Sequence, residues 1–158
     1  MRRQDREITD RAEIMEVMKR CDVIRLGLND DGFPYILPLN FGMETEGGRI
    51  RFYFHSALEG HKVDLIGKDP RASFEMDTKH EIGYDEEKGY CTYYYESVMG
   101  RGRITIPEEE EKQKALEILM DHYYPGQNAY FNPAAIPRTL VYALDVDEIT
   151  GKRKVRKG

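Results

Sequence analysis

The sequence predicts a mainly β protein, in which an antiparallel sheet closes into a small barrel with two or three short helices at its junctions. Segments of strand-like composition follow one another through hairpin turn signals, which indicates five to seven antiparallel strands. Helical patterns are few, and they do not alternate regularly with the strands. A parallel sheet with crossover helices is therefore excluded, and a barrel is favoured.

Composition describes an ordinary globular chain, which we interpret as a single domain over residues 1–158. Hydrophobic residues make up 40% of the 158 positions and charged residues 34%, and the net charge is -5. A chain with this net charge does not have the basic surface that general nucleic-acid binding requires. No apolar run approaches the length of a membrane span, and no secretory leader is seen, so we expect no membrane partner and a cytoplasmic location.

The N-terminal region contains a charged arm followed by a helix. Residues 1–8 are highly charged and are interpreted as a loose arm. Asp10 and Glu13 have the spacing of a capping box, which is a typical start of a helix. The helix that follows is amphipathic because its apolar residues recur at helical spacing, namely Ile14, Val17, Met18 and Cys21.

Two hairpins follow this helix. A strand is predicted over residues 23–28, and the segment 29–32 (NDDG) is a typical hairpin turn. A second strand is predicted over residues 33–43, where Pro38 cannot donate a backbone hydrogen bond and therefore indicates a bulge or an edge position. The Glu46-Gly47-Gly48 segment then turns the chain into the next strand.

The stretch from residue 49 to residue 76 organises the chain. It begins as a half-buried strand, because apolar and polar residues alternate with a period of two. Ile50, Phe52 and Phe54 are expected on one face, and Arg51, Tyr53 and His55 on the other. A helix is predicted from His61 to Ile66, and Asp69-Pro70 ends it before a strand over residues 72–76.

The corner between this strand and helix predicts a phosphate site. Ser56 and Glu59 have the spacing of a capping box, and Gly60 permits a tight turn. A helix start offers free backbone N–H groups and the positive end of the helix dipole, and Lys62 adds a charge. The alternative is that Ser56 only caps a surface helix and that Lys62 is solvated.

The second half of the chain adds long strands and one strong helix. Residues 90–106 are too long and too rich in glycine for one straight strand, so a bend or bulge is expected near Gly100 and Gly102. A helix begins at Pro107, and its predicted core stripe is Leu116, Leu119, Met120 and Tyr123.

A last strand is predicted over residues 139–146. The basic tail, residues 151–158, is interpreted as a solvated terminus, with an interaction tail as the alternative.

No motif for catalysis by side chains is present, and no metal site is predicted. Cys21 and Cys91 lie far apart and are interpreted as buried thiols. The four histidines share no ligand spacing, although His55 and His61 are six residues apart. If the protein is an enzyme, its chemistry therefore belongs to a bound cofactor.

Four segments occur together in an order that resembles a known family. They are residues 35–41 (YILPLNF), 52–57 (FYFHSA) with 59–62 (EGHK), 69–72 (DPRA) and 97–103 (SVMGRGR). In this order and spacing they resemble the pyridoxamine 5'-phosphate oxidase-like family, and within it the branch of nitroimidazole-resistance flavoproteins. The resemblance extends over residues 22–123, and residues 139–150 resemble the closing strand of the family.

The resemblance implies a split β-barrel of Greek-key type with six to seven strands, which binds FMN at the interface of a homodimer. The residues that lie along the flavin ring would be Pro38, Leu39 and Asn40. Residues beside the ribityl chain and phosphate would be Phe54, His55, Ser56, His61 and Lys62. Ser97 and Val98 would contact the flavin from the barrel, across the dimer.

The resemblance also has departures. The chain contains no Trp, ends in DEITGKRKVRKG, and has Tyr35 where the family has an arginine that binds the phosphate. Oxidation of pyridoxamine phosphate is therefore not expected. We predict an FMN-dependent oxidoreductase acting on small molecules, with nitroimidazoles as the first candidates. The alternatives are a non-catalytic flavin- or haem-binding sensor, with His55 or His61 as an axial ligand, and a colourless dimer with a degenerate site.

Overall fold

The computed structural model describes residues 3–156, which form one antiparallel sheet with three α-helices. The predicted mainly β fold is confirmed, with eight strands in the described part of the chain. The helices are α1 Arg11–Arg20, α2 His61–Lys68 and α3 Lys112–Tyr123. The strands are β1 Glu7–Ile8, β2 Ile24–Asp30, β3 Phe33–Leu39, β4 Gly42–Glu46, β5 Arg49–Ala57, β6 Arg71–Asp85, β7 Tyr90–Thr105 and β8 Thr139–Lys154.

The sheet forms a barrel that is split on one side. Its strand order is β3-β2-β6-β7-β8-β5-β4, and β1 adds to β8. The two end strands, β3 and β4, follow each other in the chain but do not pair. The predicted single strand over residues 33–43 is therefore wrong, because the chain breaks at Asn40-Phe41 and continues as a separate strand. Pro38 does lie on an edge strand, as predicted, where its missing N–H costs no sheet hydrogen bond.

Both chain ends are more ordered than the sequence indicates. The prediction of a loose arm is wrong for Glu7 and Ile8, because both residues pair with β8 and Ile8 is buried. The predicted solvated tail is wrong from Gly151 to Lys154, because this segment continues β8 and pairs with β7. Burial of Ile8 against Gly151 and α1 removes apolar surface from water and gives the physical reason for both corrections. Residues 1–2 of the predicted arm and residues 157–158 of the predicted tail lie outside the described residues.

The predicted turns and the predicted bend are confirmed. Asp31 and Gly32 both have positive φ between β2 and β3, and Gly47 and Gly48 do so between β4 and β5. Two successive residues with positive φ form the turn that best matches the twist of a hairpin. The β7–β8 pairing shifts its register between Arg101 and Gly102, at the position where a bulge was expected.

The main core fills the barrel. Ile50, Phe52 and Phe54 point into it, as the alternation of β5 predicts. The opposite face of β5 is also covered, because Tyr53 packs with Leu116 of α3 in a second buried cluster. The predicted α3 core stripe is correct for Leu116 and Leu119, but Met120 is only partly buried and Tyr123 is exposed.

The two cysteines have different environments. Cys21 is buried, as predicted, and burial raises the pKa of its thiol to about 12. The same prediction is wrong for Cys91, which is exposed. Cys91 pairs with Tyr84 in the outer part of the β6–β7 hairpin, where no third strand covers it.

Within residues 3–156, no helix is long and apolar enough to cross a bilayer.

Candidate functional site

The corner between β5 and α2 is built differently from the predicted capping box. Strand β5 continues through Ser56 to Ala57 because both residues pair with β8. Gly60 is the residue before the helix, with φ 143°, and no side chain caps the helix start. The predicted pairing of Ser56 with Glu59 is therefore wrong; the Ser56 hydroxyl donates to the Ala57 carbonyl instead, over 2.8 Å. Glycine is favoured here because its φ is positive.

The start of α2 leaves backbone donors available. The Gly60 carbonyl accepts from the N–H groups of Val63 and Asp64, at 2.9 and 3.1 Å. In the described part of the chain, no hydrogen bond uses the N–H groups of His61 or Lys62. An uncapped helix start with two free donors and the positive end of its dipole favours an anion.

Lys62 adds a half-buried cation to this corner. Its ammonium lies 6.0 Å from the centre of the Tyr142 ring, within range of a cation–π contact. Burial lowers the pKa of Lys62, and no carboxylate of residues 3–156 pairs with it. A desolvated ammonium without a counter-charge gains from binding an anion, because the anion restores the interaction that burial removed.

Tyr142 is a site residue that the sequence analysis did not find. Its ring packs against Phe54 at 5.2 Å between centroids, inside the barrel. Its hydroxyl is buried and has no hydrogen-bond partner among the described residues, and burial raises its pKa. The available signal was a tyrosine at an inward position of the last strand, since a phenol inside a core normally finds a polar partner.

The two predicted histidines lie on different elements, His55 on β5 and His61 at the start of α2, and they have different surroundings. The pKa of His55 is lowered, first by burial and then by the Lys62 charge, which favours the neutral form of its imidazole. His61 instead faces the β2–β3 hairpin. Its Nε2 lies 2.7 Å from Asp30 Oδ2, and its ring meets the edge of Tyr35 at 5.1 Å. His61 therefore links α2 to β3 rather than pointing freely into the corner.

The predicted ring-binding segment lies at the end of the edge strand β3. Pro38 and Asn40 are exposed, whereas Leu39 packs against the barrel core. The contact between His61 and Tyr35, three residues before Pro38, joins this segment to the helix corner. The structure thus brings two of the predicted groups to neighbouring elements.

The third predicted group, Ser97 and Val98, lies elsewhere in the fold. Val98 is fully buried in the core, and Ser97 lies on the opposite face of β7. Ser97 pairs with Lys152, whereas Ser56 pairs with Leu140, twelve residues earlier on β8. Each strand residue covers about 3.3 Å, so roughly 40 Å of strand path separates these two positions.

Two further features limit what this site can contain. Among residues 3–156, no group of three or more histidine, cysteine, aspartate or glutamate side chains is arranged to hold a metal ion. A cavity of about 790 Å³ lies along α3, lined in part by His122 and Met43, and it includes none of the predicted cofactor ligands. The groups that the α2 corner does present are one cation and backbone N–H donors, and these are groups that can bind an anion.

Comparison with known proteins assigns the family. The model of a family described as pyridoxamine 5'-phosphate oxidase matches residues 10–153. No curated protein matches the chain. A solved structure assigned as a 5-nitroimidazole antibiotic resistance protein from Bacteroides thetaiotaomicron VPI-5482 is 31% identical, with a TM-score of 0.80, covering 93% of this chain and 86% of that one.

Two more distant structures share the fold. The FAD and heme binding protein from Mycobacterium smegmatis is 17% identical, with a TM-score of 0.80, covering 96% of this chain and 74% of that one. The flavocytochrome Anf3 from Azotobacter vinelandii is 19% identical, with a TM-score of 0.77, covering 99% and 72%. Because the family model matches nearly the whole chain, the protein belongs to the pyridoxamine 5'-phosphate oxidase-like family.

Proposed function

We propose that the protein is an FMN-binding oxidoreductase that acts on small molecules. One observation carries the proposal: the half-buried Lys62 ammonium, which has no carboxylate partner within residues 3–156, lies at a helix start with two N–H groups that no described residue binds. This donor set fits the terminal phosphate of FMN, since a phosphate dianion can accept from all three groups. Family membership supports the same cofactor.

Different residues of the proposed site bind different parts of the cofactor. Lys62 and the first amides of α2 hold the phosphate, with the Ser56 hydroxyl free to turn from the Ala57 carbonyl toward it. Tyr35 stands where the family has a phosphate-binding arginine, and it already contacts His61, so the phosphate depends on Lys62. Pro38, Leu39 and Asn40 lie along the ring. FMN, when bound, supplies hydride or electron transfer, and the protein orients it and excludes water.

We also propose a homodimer with the cofactor at the interface. Ser97 and Val98 lie on β7, whose pairing with β8 is remote from that of Ser56. If Ser97 and Val98 contact the same flavin as Lys62, the second subunit supplies them. The substrate class we propose is the nitroimidazoles and related nitro compounds, because a solved structure assigned as a 5-nitroimidazole antibiotic resistance protein is 31% identical to this chain.

The purified protein gives a direct test of cofactor identity. Flavin produces two visible absorption bands and haem one intense Soret band, so the spectrum before and after addition of FMN distinguishes them. Bleaching of a bound flavin by NADH or NADPH, followed by reoxidation by a nitroimidazole, supports the oxidoreductase. Absence of a bound chromophore after incubation with FMN contradicts the proposal.

The Lys62→Ala variant tests the phosphate site. We expect its FMN dissociation constant to rise roughly 10- to 150-fold, because a charge-assisted hydrogen bond contributes about 1.5–3 kcal/mol. Riboflavin, which lacks the phosphate, should bind both proteins alike. Isothermal titration or flavin fluorescence quenching measures both constants.

Lys68→Ala is the matched control, since Lys68 is an exposed lysine in the last turn of the same helix. It removes the same charge at the opposite end of the dipole and should leave FMN affinity unchanged. Equal losses in the two variants would show that only net charge matters and that the phosphate lies elsewhere.

A second candidate function is a non-catalytic haem- or flavin-binding sensor. It is favoured by His55, because neutral imidazole is the form that ligates iron, and burial and the Lys62 charge both lower the pKa of this ring. A Soret band that is lost in His55→Ala would support it. A flavin spectrum unaffected by that substitution would exclude it.

A further inference from the structure

The junction between β3 and β4 is held by the C-terminal end of α3. The Tyr123 hydroxyl accepts a hydrogen bond from the Phe41 N–H at 3.0 Å and donates one to the Asp22 carbonyl at 2.8 Å. One phenol thus joins the chain break in the sheet to the segment that follows α1. A break of two residues in a sheet leaves backbone groups that the ladder cannot satisfy, and this hydroxyl satisfies one of them.

His122 holds the same junction from the side. Its Nε2–H donates to the Cys21 carbonyl at 2.7 Å, and its ring lies 4.3 Å from the ring of Phe41. Phe41 is fully buried, and its ring also lies 5.6 Å from that of Phe52 and 6.5 Å from that of Tyr123. The side chain of Phe41 is therefore fixed between β5 and α3.

Gly42 allows α3 to approach this closely. A Cβ atom added at Gly42 would lie 2.5 Å from both the Cα and the backbone N of Leu119. Real Cβ atoms are not found this close to a backbone, so the helix rests directly on the junction. Three independent contacts, at Phe41 N–H, at the Phe41 ring and at Gly42, fix the chain where β3 ends.

The peptide bond between Asn40 and Phe41 transmits this constraint to the proposed cofactor site. In a trans peptide the N–H and the preceding C=O point in opposite directions in one plane. Because Tyr123 binds the Phe41 N–H, it also sets the direction of the Asn40 carbonyl, which points away from α3. Asn40 itself is exposed and ends the segment that we propose lies along the flavin ring.

We infer that Tyr123 is a positioning residue for ring recognition: it orients the Asn40 carbonyl to accept a hydrogen bond from the N–H of the flavin ring. This inference rests on the proposed function and adds a residue to it. Tyr123 does not touch the phosphate corner, so its effect should be confined to the ring end of the cofactor.

The test compares Tyr123→Phe with Tyr124→Phe in the full-length protein. Tyr124 is the adjacent tyrosine, it is 57% exposed, and its hydroxyl makes no hydrogen bond among the described residues, so its variant is a matched control. The probes are FMN and riboflavin, and the measurements are their dissociation constants, the reduction potential of the bound flavin and the melting temperature of the apoprotein.

We expect Tyr123→Phe to raise the dissociation constants of FMN and riboflavin by the same factor, roughly three- to tenfold. We also expect it to shift the reduction potential of the bound flavin. Lys62→Ala should raise the dissociation constant of FMN but not that of riboflavin. The two variants therefore distinguish recognition of the ring from recognition of the phosphate. Tyr124→Phe should change none of these values. A merely structural role would lower the melting temperature but leave the affinity and potential of the folded fraction at wild-type values, which would overturn the inference.

His122→Gln is the second variant if Tyr123→Phe does not fold. It retains a donor for the Cys21 carbonyl but removes the ring that packs on Phe41, so it should shift the ring measurements in the same direction. Wild-type values for both ligands and for the potential would overturn the inference. If the unmodified protein binds neither FMN nor riboflavin, the proposed function fails and this inference fails with it.

Discussion

At the scale of single residues, the α2 corner combines groups that water would normally solvate. Burial lowers the pKa of Lys62, and the Tyr142 hydroxyl is enclosed without a hydrogen-bond partner among residues 3–156. Each of these groups reduces the stability of the folded protein, because its polar or charged form loses hydration. A site that binds an anion can tolerate this cost, since the ligand restores part of the lost interaction.

Tyr142→Phe should stabilise the apoprotein by up to about 1 kcal/mol, because it removes an unsatisfied buried hydroxyl and keeps the ring that packs on Phe54 and faces Lys62. Urea unfolding of the apoprotein measures the change in the free energy of unfolding.

Tyr53→Phe is the comparison for this prediction. The Tyr53 hydroxyl is also in the interior but donates to Glu44 at 2.7 Å, so its removal should destabilise the protein by about 1 kcal/mol. If Tyr142→Phe destabilises the protein as much as Tyr53→Phe does, the Tyr142 hydroxyl has a hydrogen-bond partner such as a bound water.

Sequence reasoning predicted the position of Lys62 at the corner better than it predicted the contacts of the functional residues. Lys62 lies at a helix start as predicted, because a helical period following a glycine turn is a local signal. The contact of His61 with Asp30 spans 31 residues, and the contacts of Tyr123 span more than 80, so no local pattern contains them. Cys91 was misassigned because hydrophobic composition does not reveal which part of a hairpin extends beyond the sheet.

At the scale of elements, α1 is attached to the barrel through a buried carboxylate. Glu96 on β7 is 3% exposed, and Arg20 in the last turn of α1 lies 2.6 Å from its Oε2. Lys79 lies 3.6 Å from the same oxygen. Lys79 has a positive φ and sits in the bulge between Thr78 and Glu81, so the bulge brings a second cation toward Glu96.

Arg20→Met should destabilise the protein by about 1–3 kcal/mol, because it leaves a buried carboxylate with only the more distant Lys79. Lys19→Met is the neighbouring control. It breaks an exposed pair with Glu16, and such pairs contribute about 0–1 kcal/mol.

Chemical denaturation of both variants measures this difference. If Arg20→Met and Lys19→Met have equal, small effects, Glu96 is held mainly by Lys79 and α1 is not anchored by its arginine.

Elements with strong periodicity and the hairpin turns were predicted correctly, but the junction between β3 and β4 was not. The predicted helix start at Pro107 is also wrong, because Glu109–Glu111 form a 3-10 turn and α3 begins at Lys112. The three helices and the hairpin turns follow from apolar spacing and from glycine pairs. The break at Asn40-Phe41 was missed because residues 33–43 have continuous strand character. It is caused by α3 resting on Gly42, a contact between segments more than 70 residues apart.

At the scale of the whole molecule, the split between β3 and β4 determines where the proposed site can be. The ring segment ends at this split, Lys62 lies at the start of α2, and Ser97 lies on β7. Alternation and turn signals were sufficient to predict a barrel, but they contain no information on which edges remain unpaired. The sequence could therefore indicate the fold class and a set of candidate site residues, but not how the fold distributes them over the sheet.

Dimerisation and FMN binding should be thermodynamically coupled if the cofactor lies between two subunits. Coupling is reciprocal, so a ligand that binds only the dimer must lower the dimer dissociation constant. We would follow a dilution series of the apoprotein by sedimentation velocity. We expect the equilibrium between monomer and dimer to shift toward the dimer when saturating FMN is added. Lys62→Ala apoprotein should dimerise like the wild type, because the substitution removes a cofactor contact, but it should need far more FMN for the same shift. A dimer dissociation constant that FMN does not change would place the cofactor within one protomer, and the roles of Ser97 and Val98 would then be structural.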